Sequence, residues 1–108
     1  MIIKIKSQDF EGKVLKSKLP VFACFVTSWC GSCFALRLVI NDLIARYGHK
    51  MRFVEIDAEE APEIMKRYGL RALPAMLIFK KGRPEKKLLG FRHKRELRIF
   101  LDKMVEEN

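Results

Sequence analysis

The chain predicts an α/β fold, a central mixed sheet of five strands with four helices covering both faces. Three observations predict it. Short apolar runs rich in β-branched and aromatic residues alternate with stretches of helical periodicity, in the order βαβαβαββα. One strand pair is joined by a tight turn instead of a helix, so a hairpin is mixed with helical crossovers. Finally, 49% apolar and 32% charged residues form a globular balance, and 108 residues suffice for one domain, 1–108, with a core that needs no staples.

Taken in order, Met1–Lys6 reads as a short first strand and Ser7 as the N-cap of a helix through about Lys18. Pro20 opens the second strand, the run Val21–Thr27. A long helix follows from about Cys30 to Tyr47, carried by Leu36, Val39, Ile40, Leu43, Ile44 and Tyr47, with Gly48 at its C′ position. Met51–Asp57 is the third strand. Ala61-Pro62 opens a short helix through Ile64, Met65 and Tyr68 that ends at Gly69. Ala75–Lys80 is the fourth strand, Lys81-Gly82-Arg83-Pro84 a turn, and Lys86–Leu89 the fifth. From His93 onward, Leu97, Phe100, Leu101, Met104 and Val105 mark a terminal amphipathic helix. No repeat, linker or low-complexity segment interrupts this order.

The string Trp29-Cys30-Gly31-Ser32-Cys33 carries the chemistry. Two cysteines two residues apart close a small disulfide ring or supply half of a metal site, and their context decides between these. Here they follow an apolar strand and open a helix, the setting of a redox pair. The helix end offers unpaired N–H groups and partial positive charge, which favour thiolate over thiol. Three cysteines are too few for a secreted disulfide framework. Met1–Lys6 alternates apolar and basic residues and forms no signal-peptide core. The longest apolar run, Leu19 to Val26, falls far short of the roughly 20 residues that span a bilayer. A cytoplasmic protein without membrane attachment is expected.

Along essentially its whole length the chain resembles the thioredoxin family. The resemblance rests on Trp29–Cys33, Asp57 at the end of the third strand, Tyr68-Gly69-Leu70-Arg71-Ala72-Leu73-Pro74, Phe79-Lys80-Lys81-Gly82, and Gly90 after the last strand. It implies a thioredoxin fold and thiol–disulfide exchange. Cys30 would attack a substrate disulfide as thiolate, and Cys33 would resolve the mixed disulfide and release reduced substrate. Pro74 would follow a cis peptide bond facing the cysteines. Leu73 would offer its backbone to an extended substrate peptide, with Trp29, Gly31, Ser32 and Gly90 shaping the same contact surface. The implied partners are protein disulfides and a reductase or glutathione system as electron donor. The redox element is the Cys30–Cys33 disulfide itself, with no cofactor.

The departures from the family are equally specific. Ser32 stands where thioredoxins usually carry Pro, restoring an N–H and adding a hydroxyl near Cys30. Cys24 stands where the family has a buried acid, and Phe53 where a lysine often accompanies it, so both charged members are absent together. Leu38 replaces the proline that kinks the long helix. Cys24 reads as a small buried hydrophobe filling the acid's space. Its sharper alternative is a modulating thiol able to exchange with Cys33.

The formal net charge is +9, and residues 80–103 hold ten basic residues against three acidic ones. Such a face keeps a protein soluble or steers acidic partners. No nucleic-acid reading motif accompanies it, so a nucleic-acid role is not expected. His49 and His93 read as surface or capping residues. Asp57, Glu59 and Glu60 suit a helix N-terminus. With one distant histidine the three cysteines make a poor zinc set, and no metal is expected. Two alternatives to a disulfide reductase remain at this stage: a more oxidising glutaredoxin-like exchange protein, and a binding module that uses the basic face.

Overall fold

A computed structural model describes residues 2–106. The predicted first strand shortens to β1 (Ile3–Ile5), and Met1 lies outside the described residues. Then follow β2 (Val21–Val26), α1 (Gly31–Tyr47), β3 (Arg52–Asp57), α2 (Pro62–Arg67), β4 (Ala75–Lys80), β5 (Arg83–Leu89) and α3 (Lys94–Glu106). The sheet order is β1-β3-β2-β4-β5. The β1–β3 and β3–β2 pairs are parallel, and the β2–β4 and β4–β5 pairs antiparallel. This is the expected mixed sheet.

Strand alternation divides the core between the two faces. Phe22, Cys24 and Val26 of β2 join Phe53, Met76, Ile78 and Leu88 beneath α1 and α3. Val21, Ala23 and Phe25 turn to the other face, where Phe10, Val14 and Ile64 cover them. β2, central and buried on both faces, has no polar position before Thr27. Between the covering helices, the Tyr47 hydroxyl donates to Asp102, and Lys94 pairs with Asp42 at 3.3 Å.

Three expectations are corrected. The helix expected from Ser7 to Lys18 is a 3₁₀ turn (Ser7–Asp9) running into a π-wound turn (Glu11–Leu15), in which the Lys16 N–H bonds Glu11 five residues back. Lys6, not Ser7, precedes the first turn as its cap, its N–H bonded to the Asp9 carboxylate at 3.0 Å. Gly12 weakens an α-helix here, while Phe10 and Val14 bury against the sheet. The fifth strand begins at Arg83 because the turn is only Lys81-Gly82, both at positive φ (53° and 79°). Pro84 is therefore inside β5, an outer strand where its missing N–H is tolerated beside a register shift at Ile78/Phe79. Gly48 does end α1, but with right-handed backbone. Space requires the glycine there, since a Cβ would lie 2.6 Å from the Ile44 carbonyl oxygen.

Candidate active site

β2 runs out of the sheet into Thr27-Ser28-Trp29, and Cys30 then serves as the N-cap of α1. An N-cap side chain accepts a hydrogen bond from the helix's first free N–H groups. Here that acceptor is sulfur: the Cys33 N–H donates to Cys30 Sγ at 3.2 Å. The Ser32 hydroxyl lies 3.5 Å from the same sulfur. Cys30 and Cys33 are joined in a disulfide, their Cα atoms 5.2 Å apart. A disulfide sulfur has no proton, so the Ser32 hydroxyl is the donor. The backbone donor that reaches Cys30 belongs to Cys33 and not to Ser32. Cys30 is half-buried, whereas Cys33 is 4% exposed and part of the core under α1.

The strand register gathers the remaining predicted residues at the same end of the sheet. Phe25 pairs with Ala75, and Ala75 with Leu89, so the start of β4 and the end of β5 flank the exit of β2. The Leu73–Pro74 peptide is cis. The Gly90 N–H donates to the Pro74 carbonyl at 2.7 Å, with Gly90 at φ +88°, a conformation that favours glycine. Leu73 and Cys30, both partly buried, pack against the cluster that contains Cys33. Trp29, Gly31 and Ser32 stand exposed around the disulfide.

Behind the disulfide Cys24 and Phe53 are buried as expected, with a charged pair close by. Cys24 is free and 2% exposed, and Phe53 stacks on Phe22 with centroids 5.4 Å apart. Yet Glu55, in register with Cys24 on the neighbouring strand, is also buried, its carboxylate 3.2 Å from the Arg37 guanidinium. Arg37 lies one helical turn beyond Cys33 on α1. The Glu55–Arg37 pair joins β3 to α1 and stands two residues along β3 from Phe53, so it is a separate charged pair and not the one absent at Cys24 and Phe53. Strict alternation of Met51, Phe53 and Glu55 places this acid on the α1 face, a signal present in the sequence. Burial and the nearby Glu55 carboxylate push the Cys24 thiol far above its ordinary value, against a smaller pull from Arg37. Arg37 and Glu55 line an open cleft of about 350 Å³ with Lys4, Val26, Thr27 and Ser28. The Thr27 hydroxyl beside it is buried without a partner among the described residues.

The other polar residues sit as expected. The Asp57 carboxylate accepts from the Glu59 N–H at 2.9 Å, and both histidines are exposed, His93 with its ring against Phe91. Among the described residues no group of three or more His, Cys, Asp or Glu is placed to hold a metal ion. None of their helices is long and apolar enough to cross a membrane.

Against known proteins, the thioredoxin family profile matches residues 1–103. The chain belongs to the thioredoxin family. It is 31% identical over 104 residues to a thioredoxin of Acidithiobacillus ferridurans, covering 96% of each chain. It is 32% identical over 99 residues to thioredoxin 1 of Synechococcus elongatus, covering 92% of each. Identity to the chloroplastic thioredoxin M5 of Oryza sativa is 30% over 104 residues; there the chain spans 60% of the relative's length. With the Cys30–Cys33 pair as redox-active centre, the thioredoxin-family chain is a thiol–disulfide oxidoreductase. The relatives do not favour the glutaredoxin-like or binding-module alternatives. Members of this family need no cofactor.

Proposed function

We propose that this chain, acting as a single domain over residues 1–108, reduces protein disulfides in the cytoplasm. Cys30 is the nucleophile: as thiolate it attacks one substrate sulfur, forms a mixed disulfide and expels the other. Cys33 then attacks Cys30, which releases the substrate as a dithiol and leaves the Cys30–Cys33 disulfide. Two electrons pass to the substrate in each cycle. A reductase or a glutathione system restores the dithiol. Leu73, Pro74 and Gly90 form one wall of the substrate groove, and Trp29, Gly31 and Ser32 the other.

The observation that carries this assignment of roles is the pair of donors on Cys30 Sγ. The Cys33 N–H and the Ser32 hydroxyl both converge on the half-buried sulfur, and both bonds strengthen when it becomes an anion. Cys33, buried in the core, has no such access to a substrate. The test is reduction of insulin by dithiothreitol, followed as turbidity, with and without the protein. Acceleration by wild type, lost in Cys30→Ala and Cys33→Ala, is expected. A rate no faster than dithiothreitol alone, or full turnover by Cys30→Ala, would overturn it.

A further inference from the structure

We propose that the outer face of α1, centred on Phe34 and Leu38, is a docking surface for an apolar segment beside the disulfide of a protein substrate. This deepens the proposed function and rests on it. Six large hydrophobic side chains are exposed among the described residues, and three of them, Trp29, Phe34 and Leu38, belong to the redox motif and its helix. Trp29 and Phe34 bracket the Cys30–Cys33 pair in the chain, and Leu38 stands one turn beyond Phe34 on the same helix face. Their exposures are 68%, 65% and 57%.

An ordinary surface helix is apolar on one side and charged on the other. α1 breaks that pattern. Its inner face buries Cys33, Leu36, Ile40 and Leu43, yet from Gly31 to Asn41 its only charge is Arg37, which is directed to Glu55. An apolar outer ridge of this kind marks a site of contact.

Size identifies the occupant. The three side chains expose about 400 Å² together, taking about 150–250 Å² for each complete side chain. A stable dimer needs about 800 Å² from each partner. The ridge therefore suits a brief encounter, and its place on the first turns of the helix that Cys30 caps makes the visitor a substrate, with an apolar segment next to its own cystine. A small disulfide molecule cannot reach from Cys30 to Leu38, so its reduction does not depend on the ridge.

The experiment compares Phe34→Ser, Leu38→Ser and the double variant with wild type. Ile99→Ser, which removes an exposed apolar side chain from α3, is the control. Insulin is the protein substrate and 5,5′-dithiobis(2-nitrobenzoate) the small one. The double variant should raise KM for insulin about tenfold. Its kcat for insulin, and its rate with the small disulfide, should stay within about twofold. The KM ratio to wild type should hold between about 20 and 300 mM salt, because the contact is apolar. Ile99→Ser should change nothing. An unchanged insulin KM in the double variant overturns the proposal, as does a KM rise matched by Ile99→Ser or an equal loss with both substrates. Concentration-dependent dimerisation of wild type, absent in the double variant, would make a second copy the occupant and also overturn it. A wild type inactive on both substrates would instead defeat the reductase reading itself.

Discussion

Ser32, beside the redox sulfur, and Cys24, buried on the central strand, each lead to a measurement. The Ser32 hydroxyl donates to Cys30 Sγ, and a hydrogen bond to an anion is stronger than one to a neutral sulfur. It therefore favours the dithiol form, and the potential of the pair should be less negative than the value of about −270 mV familiar for thioredoxin. Ser32→Ala should move it about 20–30 mV more negative, the equivalent of roughly 1 kcal/mol, as equilibration with glutathione would show. No movement would remove Ser32 from the chemistry. Cys24 behaves oppositely. Burial first, and the Glu55 carboxylate second, keep its thiol protonated in the folded protein well above the ordinary 9.0. In the unfolded chain it ionises near that ordinary value, so there the unfolded state binds fewer protons and stability falls as pH rises. Above pH 9.0 wild type should lose up to about 1.4 kcal/mol per pH unit relative to Cys24→Ala, and below it the difference should be flat. Urea titrations of the two proteins at several pH values would show this. Cys24→Ala should keep its reductase activity, and peptide mapping of oxidised wild type should find Cys30–Cys33 as the dominant bridge.

At the scale of elements, the strands and long helices were legible because burial and periodicity coincide in them. β2 has an uninterrupted apolar run, and α3 places Leu97, Leu101 and Met104 on a single buried stripe. The short elements were less legible. Phe10 and Val14 are spaced as in an α-helix, but two buried side chains and a glycine between them specify only that one face packs, not how the backbone winds. Pro84 looked like a turn residue because sequence does not reveal that β5 is an outer strand. The end of the site formed by Pro74 and Gly90 was visible through family motifs alone, since nothing local predicts that their backbones bond to each other. Glu55 shows the reverse case. The alternation that buries it was in plain view, but an acid in a strand is usually assigned to solvent. The Lys81-Gly82 turn gives the prediction at this scale. Gly82 combines φ 79° with a Cβ position 2.8 Å from the Leu15 carbonyl oxygen, so Gly82→Ala should destabilise the fold by about 1–3 kcal/mol in chemical denaturation. An equal stability would mean that the Leu15 segment yields freely.

For the molecule as a whole, the redox site acts on contact and the charge at a distance. The disulfide stands at the end of the sheet where β2 and β5 finish and β4 begins, and the basic residues concentrate along β5 and α3. Several of those cations already serve the fold: Lys86 lies 4.3 Å from the Phe100 ring centre, Lys87 donates to the Tyr68 carbonyl, and Arg92 pairs with Glu96 at 3.1 Å. What is left over is long-range attraction from a net +9. For an acidic disulfide protein, kcat/KM should therefore fall severalfold as salt rises from about 20 to 200 mM, while a neutral small disulfide shows little change. Stopped-flow kinetics at graded ionic strength would test it, and a flat profile with the acidic protein would show that the charge serves solubility alone. The outer strands have a different consequence. A protein that opens other proteins' disulfides continually meets chains whose loosened strands look for a sheet to join. β1 offers only three residues, and β5 presents Pro84, a shifted register and the charges of Arg83, Glu85, Lys86 and Lys87. Neither margin presents the long, flat, unbroken edge on which a foreign strand pairs, so strand addition by a loosened substrate is disfavoured at both sides of the sheet.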